Sequence, residues 1–206
     1  MKKYNIIKKI ICSAVFSILS IIIITACGEM GKIDQGRVIA YDKEKKTVTV
    51  LYDKNADPEK PEYILPPHTY TLPADPHEAG AEPKAGKRIK LDLNNNQIII
   101  FDNATQNFKT INYKVIDMKE KIEKDNQLLY DTDKKPKTFP VIDKADKTIT
   151  IYSKRQKTLV TFTFADEYFL LPDDTWTSGD EVRIFYHEDG KALRFMNITK
   201  TDIFKK

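Results

Sequence analysis

Short stretches in which apolar and polar positions alternate recur along most of the chain, separated by turn-forming residues. That period of two predicts antiparallel β-structure. Val38-Ile39-Ala40-Tyr41 leads into Asp42-Lys43-Glu44-Lys45-Lys46, and Thr47-Val48-Thr49-Val50-Leu51-Tyr52 returns. A second hairpin is predicted from Ile89-Lys90-Leu91-Asp92-Leu93, the turn Asn94-Asn95-Asn96, and Ile98-Ile99-Ile100-Phe101. Asparagine tolerates the left-handed backbone that tight hairpin turns need.

The pattern recurs in order, which points to an internal duplication. Val38 to Val50 is echoed by Pro140 to Ile151, with the same interval between Asp42 and Thr47 as between Asp143 and Thr148. Tyr70-Thr71-Leu72-Pro73 is echoed by Tyr168-Phe169-Leu170-Leu171-Pro172, and Gly86-Lys87-Arg88-Ile89 by Gly179-Asp180-Glu181-Val182. Ile98 to Phe101 then corresponds to Ala192 to Phe195. The fold expected is mainly β: two tandem, related small antiparallel barrels or sandwiches, SH3-like or OB-like, behind an N-terminal signal helix. Gly179-Asp180-Glu181-Val182-Arg183-Ile184-Phe185-Tyr186 carries the likeness to such barrels, as a glycine turn entering an amphipathic strand.

The organisation expected is a signal over 1–26, a tether over 27–35, a first β-domain over 36–117, a charged linker over 118–137 and a second β-domain over 138–206. Met118-Lys119-Glu120-Lys121-Ile122-Glu123-Lys124 is expected to form one short helix within the linker. The first half alone carries a Pro-rich insert over 73–85, expected to be a surface loop because proline fixes φ and removes a donor. Loops on β-scaffolds are common carriers of binding function.

The start of the chain departs from this alternation. Lys2, Lys3, Lys8 and Lys9 precede an uncharged apolar run from Ile10 to Ala26, and Ile24-Thr25-Ala26-Cys27 follows. A basic start, an apolar middle and small residues at its end make an export signal. The last four residues resemble the lipobox of bacterial lipoproteins. That resemblance implies a lipid on the Cys27 thiol and cleavage between Ala26 and Cys27. Two or more acyl chains anchor a protein stably where one does not. Gly28 lacks the Asp that retains enterobacterial lipoproteins at the inner membrane. The periplasmic face of an outer membrane is therefore expected where one exists, and otherwise the outer face of the cytoplasmic membrane.

Removing the signal changes the charge. The full chain carries 34 Lys and Arg against 30 Asp and Glu, and the excess of four is the four signal lysines. A neutral mature chain lacks the basic excess that nucleic-acid binding requires. Cys12 lies in the signal and Cys27 is the lipid acceptor, which leaves no thiol for a disulfide, a thiolate metal site or nucleophilic catalysis. No Gly-x-Ser-x-Gly elbow is present, so the chain is not expected to be an enzyme and no cofactor is expected. A hydrolase of unrecognised type is the residual class.

The candidate metal ligands are His68, His77, Asp75 and Glu78, an imidazole–carboxylate mixture that Zn²⁺ accepts, though their spacing matches no compact motif. Trp176, in the turn-rich run Asp173-Asp174-Thr175-Trp176-Thr177-Ser178-Gly179, is expected to close a barrel end or to contact a partner. Tyr63 to Glu78 and Ala192 to Phe204 resemble an uncharacterised family of lipoproteins from anaerobic, metal- or sulfate-reducing bacteria, over nearly all of the mature chain. The resemblance implies an envelope location and supplies no functional residues. The expected function is a lipid-anchored, non-catalytic protein-binding or scaffolding module with an envelope protein partner. The alternative is small-molecule or metal binding at the His68–His77 loop.

Overall fold

A computed structural model describes residues 31–56 and 60–201; the signal segment, Cys27 and the expected signal helix lie outside them. The strands in chain order are β1 (Lys32–Asp42), β2 (Thr47–Asp53), β3 (Tyr63–Thr71), β4 (Arg88–Asp92), β5 (Gln97–Asp102) and β6 (Asn107–Asn112). They continue as β7 (Lys114–Lys119), β8 (Val141–Asp143), β9 (Thr148–Ser153), β10 (Thr158–Thr163), β11 (Glu181–Tyr186) and β12 (Ala192–Asn197). Among the described residues there is no α-helix, only short 3₁₀ turns at Gln127–Leu129, Asp166–Leu170 and Asp173–Trp176.

Five hairpins use one turn. An Asp or Ser at the end of the first strand accepts a backbone N–H from within the turn: Asp42 from Lys45, Asp92 from Asn95, Asp102 from Ala104, Asp143 from Ala145, and Ser153 from Gln156. The residue just before each returning strand, Lys46, Asn96, Gln106, Lys147 or Lys157, takes the left-handed backbone at φ of 49–52°. A side-chain acceptor and one left-handed residue reverse the chain without a glycine. Lys90 and Asn95 hold the Asp92 carboxyl down to about 2.

The strands form three antiparallel sheets, ordered β12-β11-β1-β2-β3, β4-β5-β6 and β7-β10-β9-β8. Pairing crosses between the sequence halves. β1 is flanked by β2 on one side and by β11 on the other, with Gln35 opposite Arg183 and Arg37 opposite Glu181. The second hairpin of the second half thus extends the first meander of the first half. Reciprocally, Ile98, Ile100 and Ile111 of the three-stranded sheet pack against Ile149, Ile151, Val160 and Phe162 of the four-stranded sheet. The opposite face of β5 supplies Phe101, which meets Ile39 and Leu51 of the five-stranded sheet. The three-stranded sheet is therefore the middle layer. A separate core of Val38, Val48, Val50, Val182, Ile184 and Phe195 lies on the far side of the five-stranded sheet.

None of the sheets closes into a barrel. The edges of the five-stranded sheet meet only at the Thr71–Lys191 bridge, where Thr71 N–H donates to the Gly190 carbonyl at 2.8 Å. The Pro-rich segment is a surface loop, but a docked one. Its Glu78 carbonyl accepts from Phe195 N–H and its Lys84 carbonyl from Asp180 N–H, both at 2.8 Å. Two further expectations meet a different structure. Residues 32–35 are the first part of β1 rather than tether, because they pair with β11. Among the described residues the linker holds no α-helix, only the 3₁₀ turn Gln127–Leu129; it opens on the end of β7, an edge strand paired with β10 that turns Val115 and Met118 toward the core.

The layers cross at two glycines. Gly86 N–H donates to the Val38 carbonyl at 3.1 Å. A Cβ on Gly179 would stand 1.8 Å from that carbonyl oxygen and 3.1 Å from Gly86 N, and one on Gly86 would stand 2.3 Å from the Thr177 oxygen. These obstacles are backbone atoms held by ladders on both sides and cannot move aside singly. Gly179→Ala is expected to cost at least about 3 kcal/mol, read as a lowered urea midpoint of the mature domain. An unchanged midpoint would show that the crossing is looser than its geometry.

Candidate functional site

The most concentrated polar chemistry lies at the first residues of β1. Alternation along β1 turns Asp34 away from the middle layer, to the same face of the five-stranded sheet as Val38, where β3 brings His68 and Tyr70 and β11 brings Tyr186. Asp34 is only 8% exposed. Its Oδ1 accepts from the Tyr186 hydroxyl at 3.1 Å, and its Oδ2 accepts from the Tyr70 hydroxyl and faces His68 Nδ1 at 2.9 Å. A buried carboxylate is tolerable only when several donors replace its water, and here three do. Burial and the hydrogen bond to Asp34 push the Tyr70 hydroxyl well above the ordinary tyrosine range. Burial likewise raises Tyr186.

A carboxylate oxygen accepts, which places a proton on His68 Nδ1, and in the neutral imidazole Nε2 then carries the lone pair. This is the carboxylate–imidazole pairing that fixes a tautomer and aims the free nitrogen. The Tyr52 ring stacks on the imidazole at 6.2 Å with an interplanar angle of 11°. The His68 side chain is 44% exposed and opens on a cleft of about 400 Å³. Lys32, Thr69, Tyr70, Tyr186, Asp189 and Gly190 complete its lining. On the rim, Lys32 Nζ lies 3.0 Å from Asp189 and 5.7 Å above the Tyr186 ring.

A second polar group welds the five-stranded sheet to the middle layer. Arg37 Nη2 lies 2.7 Å from Glu181, its Nη1 donates to the Ile89 carbonyl at 2.8 Å, and the Tyr63 hydroxyl also donates to Glu181. Arg88 Nε donates to the Trp176 carbonyl at 2.9 Å. Burial and the neighbouring Arg37 hold the Arg88 guanidinium down to about 10, so it stays charged at neutral pH. Among the described residues no buried side-chain polar atom lacks a partner.

The four candidate ligands do not converge. Although flanked by prolines, His68 sits on β3 opposite Val50 and faces Asp34. His77 N–H donates to Asp75 Oδ1 at 2.9 Å within the docked loop, and Glu78 pairs with Arg194. Among the described residues no group of three or more His, Cys, Asp or Glu side chains could hold a metal ion. Trp176 is 1% exposed and packs on Phe164 at 4.6 Å, which places its indole in the core between the three- and four-stranded sheets rather than on a contact surface. Asp34, Tyr186, Lys32 and Asp189 escape a reading of the sequence. Their one local signal is an acid at an inward position of β1, and the polar neighbours Lys32 and Gln35 hide the alternation that would expose it.

The fold and this cluster define an all-β protein of three stacked antiparallel sheets with a polar cleft at the first strand. The chain belongs to the family described as a domain of unknown function (DUF4881), whose model matches residues 29–206. No curated protein and no solved structure matches it.

Asp34 is expected to be the most stabilising member of the cluster. Replacing it with Ala leaves two tyrosine hydroxyls without their acceptor, at about 1–3 kcal/mol for each buried unsatisfied group. Urea unfolding is expected to show that loss for Asp34→Ala and a smaller one for Asp34→Asn. Equal midpoints for wild type and Asp34→Ala would mean that water replaces the carboxylate without cost.

Proposed function

We propose that this protein is an exported lipoprotein, cleaved before Cys27, anchored by lipid on that residue, and acting as a non-catalytic module that binds or scaffolds an envelope protein. The lipobox at Ile24 to Cys27 supports the anchor, and the neutral mature chain argues against nucleic acid. The outer-membrane periplasmic face, or the outer face of a cytoplasmic membrane, follows from the same signal, and the resemblance carried by Tyr63 to Glu78 and Ala192 to Phe204 supports an origin among anaerobic metal- or sulfate-reducing bacteria. The five-stranded sheet, whose edges meet at a single bridge, is read as an incomplete OB- or SH3-like barrel that takes β1–β3 from one of the two related halves and β11–β12 from the other.

The observation that carries the binding role is the uncovered face of the β7-β10-β9-β8 sheet. Ile116 and Val141 stand 55% and 45% exposed toward its two edges, and the Thr150 and Thr161 hydroxyls meet between them at 2.9 Å. An uncovered sheet face with exposed aliphatic residues suits a protein partner. Mild crosslinking in membranes of cells making the full chain is expected to capture one reproducible partner. Ile116→Lys with Val141→Lys is expected to lose that partner without shifting the melting temperature. Capture of no reproducible protein, or undiminished capture by the double variant, overturns the reading.

A second reading, small-molecule binding, rests on the free His68 Nε2 in its cleft. The ligand set once expected around His77 does not contribute to it.

A further inference from the structure

The cleft lies where the chain leaves its anchor. Lys32 both lines the cleft and begins β1, five residues beyond Cys27. Fully extended, five residues reach at most about 18 Å. If lipid holds Cys27, the mouth of the cleft therefore stays within that distance of the bilayer surface, whatever path the intervening residues take. Ile33, on the opposite face of β1 from the cleft, is 59% exposed, an aliphatic side chain suited to the interface.

The groups in the cleft are ordered by sign. His68 lines the cleft, and with Asp34 holding a proton on Nδ1 its neutral ring offers Nε2 as an acceptor. On the rim stand one anion and one cation, Asp189 and Lys32, 3.0 Å apart and well exposed. The Tyr186 ring already draws the Lys32 ammonium over its face, which marks the wall as favourable to cations. Asp34 is saturated by its own donors, and the nearby Glu188 is taken up by Lys191 at 2.8 Å. The ligand complementary to this order carries a hydrogen-bonding ammonium joined by a short link to an anion. An anion alone would meet Asp189, and a quaternary ammonium has no proton to give Nε2.

We propose that the cleft binds the aminoethyl phosphate headgroup of a phospholipid in the leaflet that carries the Cys27 anchor, with the ammonium on His68 Nε2 and Asp189 and the phosphate on Lys32. The proposal rests on the lipoprotein reading and adds to it a lipid-specific contact beside the anchor. Lipid and protein then fix the domain's orientation at two points, the acyl chains and the headgroup.

The test uses the full chain purified from membranes and reconstituted in nanodiscs of phosphatidylethanolamine, phosphatidylglycerol and phosphatidylcholine in equal parts. Native mass spectrometry counts the phospholipids that stay bound on release. One phosphatidylethanolamine per chain is expected, favoured about tenfold over either other lipid. Asp189→Lys and His68→Phe are each expected to cut its retention about tenfold, whereas Leu170→Lys, at an 86% exposed residue of the Asp166–Leu170 turn, should leave it unchanged. Equal retention of the three lipids, or undiminished retention by Asp189→Lys, overturns the inference. The same spectra weigh the acyl groups on Cys27. An acylated chain without phosphatidylethanolamine overturns this inference alone, and an unacylated chain overturns the anchor as well.

Discussion

The Val38 carbonyl is where the molecule is tightest. Gly86 donates to it, and Gly179 passes so close that no side chain fits between them. Two crossovers, one leading into β4 and the other into β11, therefore meet on the strand that lies at the centre of the five-stranded sheet. Only glycine permits backbone to cross backbone at this distance. Because the crossing is fixed, β11 is delivered to the free edge of β1 and β4 to the opposite layer. Each half of the chain then completes its core with strands from the other.

Polar chemistry follows from the same strand. β1 is long enough to serve two environments. Beyond the crossing it contributes Val38 and Ile39 to apolar cores on its two faces. Before the crossing it contributes Arg37 to the weld with Glu181 and Asp34 to the tyrosine–histidine cluster. Glu181 reaches Arg37 and Tyr63 across more than a hundred residues of sequence, and Asp34 reaches Tyr186 likewise, so neither cluster is complete until β1 and β11 have paired. Polar groups buried this way destabilise any arrangement that leaves them unmatched, and they favour one register over its neighbours. The cleft is a by-product of that requirement: the carboxylate that holds the sheet together also aims His68 Nε2 outward.

Local structure was legible in the sequence to a large extent. Alternation placed both hairpins that it singled out, and the repeated interval from Asp to the returning strand is the hairpin turn seen five times. The two glycines stood out as equivalent positions, though not as neighbours. Pairing between β1 and β11 left no trace, because register over such a separation depends on complementarity that neither strand displays alone. His68 was misplaced into a loop for a definite reason. Pro66 and Pro67 fall where the β2–β3 register shifts between Val50 and Tyr52, so a missing N–H removes no ladder bond from this edge strand. The expected linker helix has a similar origin. Met118 and Ile122 both turn inward at helical spacing, but the first does so at the end of β7 and the second in the loop beyond it.

Exchange of strands between the halves is the central claim, and dividing the chain tests it directly. A break between Thr132 and Asp133, in the exposed turn after the last 3₁₀ residue of the linker, yields two fragments of the mature domain. Circular dichroism melts are expected to show no cooperative transition for either fragment alone and a single one when the two are mixed, because the two larger cores each draw strands from both. A cooperative melt of the C-terminal fragment alone would show that the halves are independent domains after all, and would contradict the account.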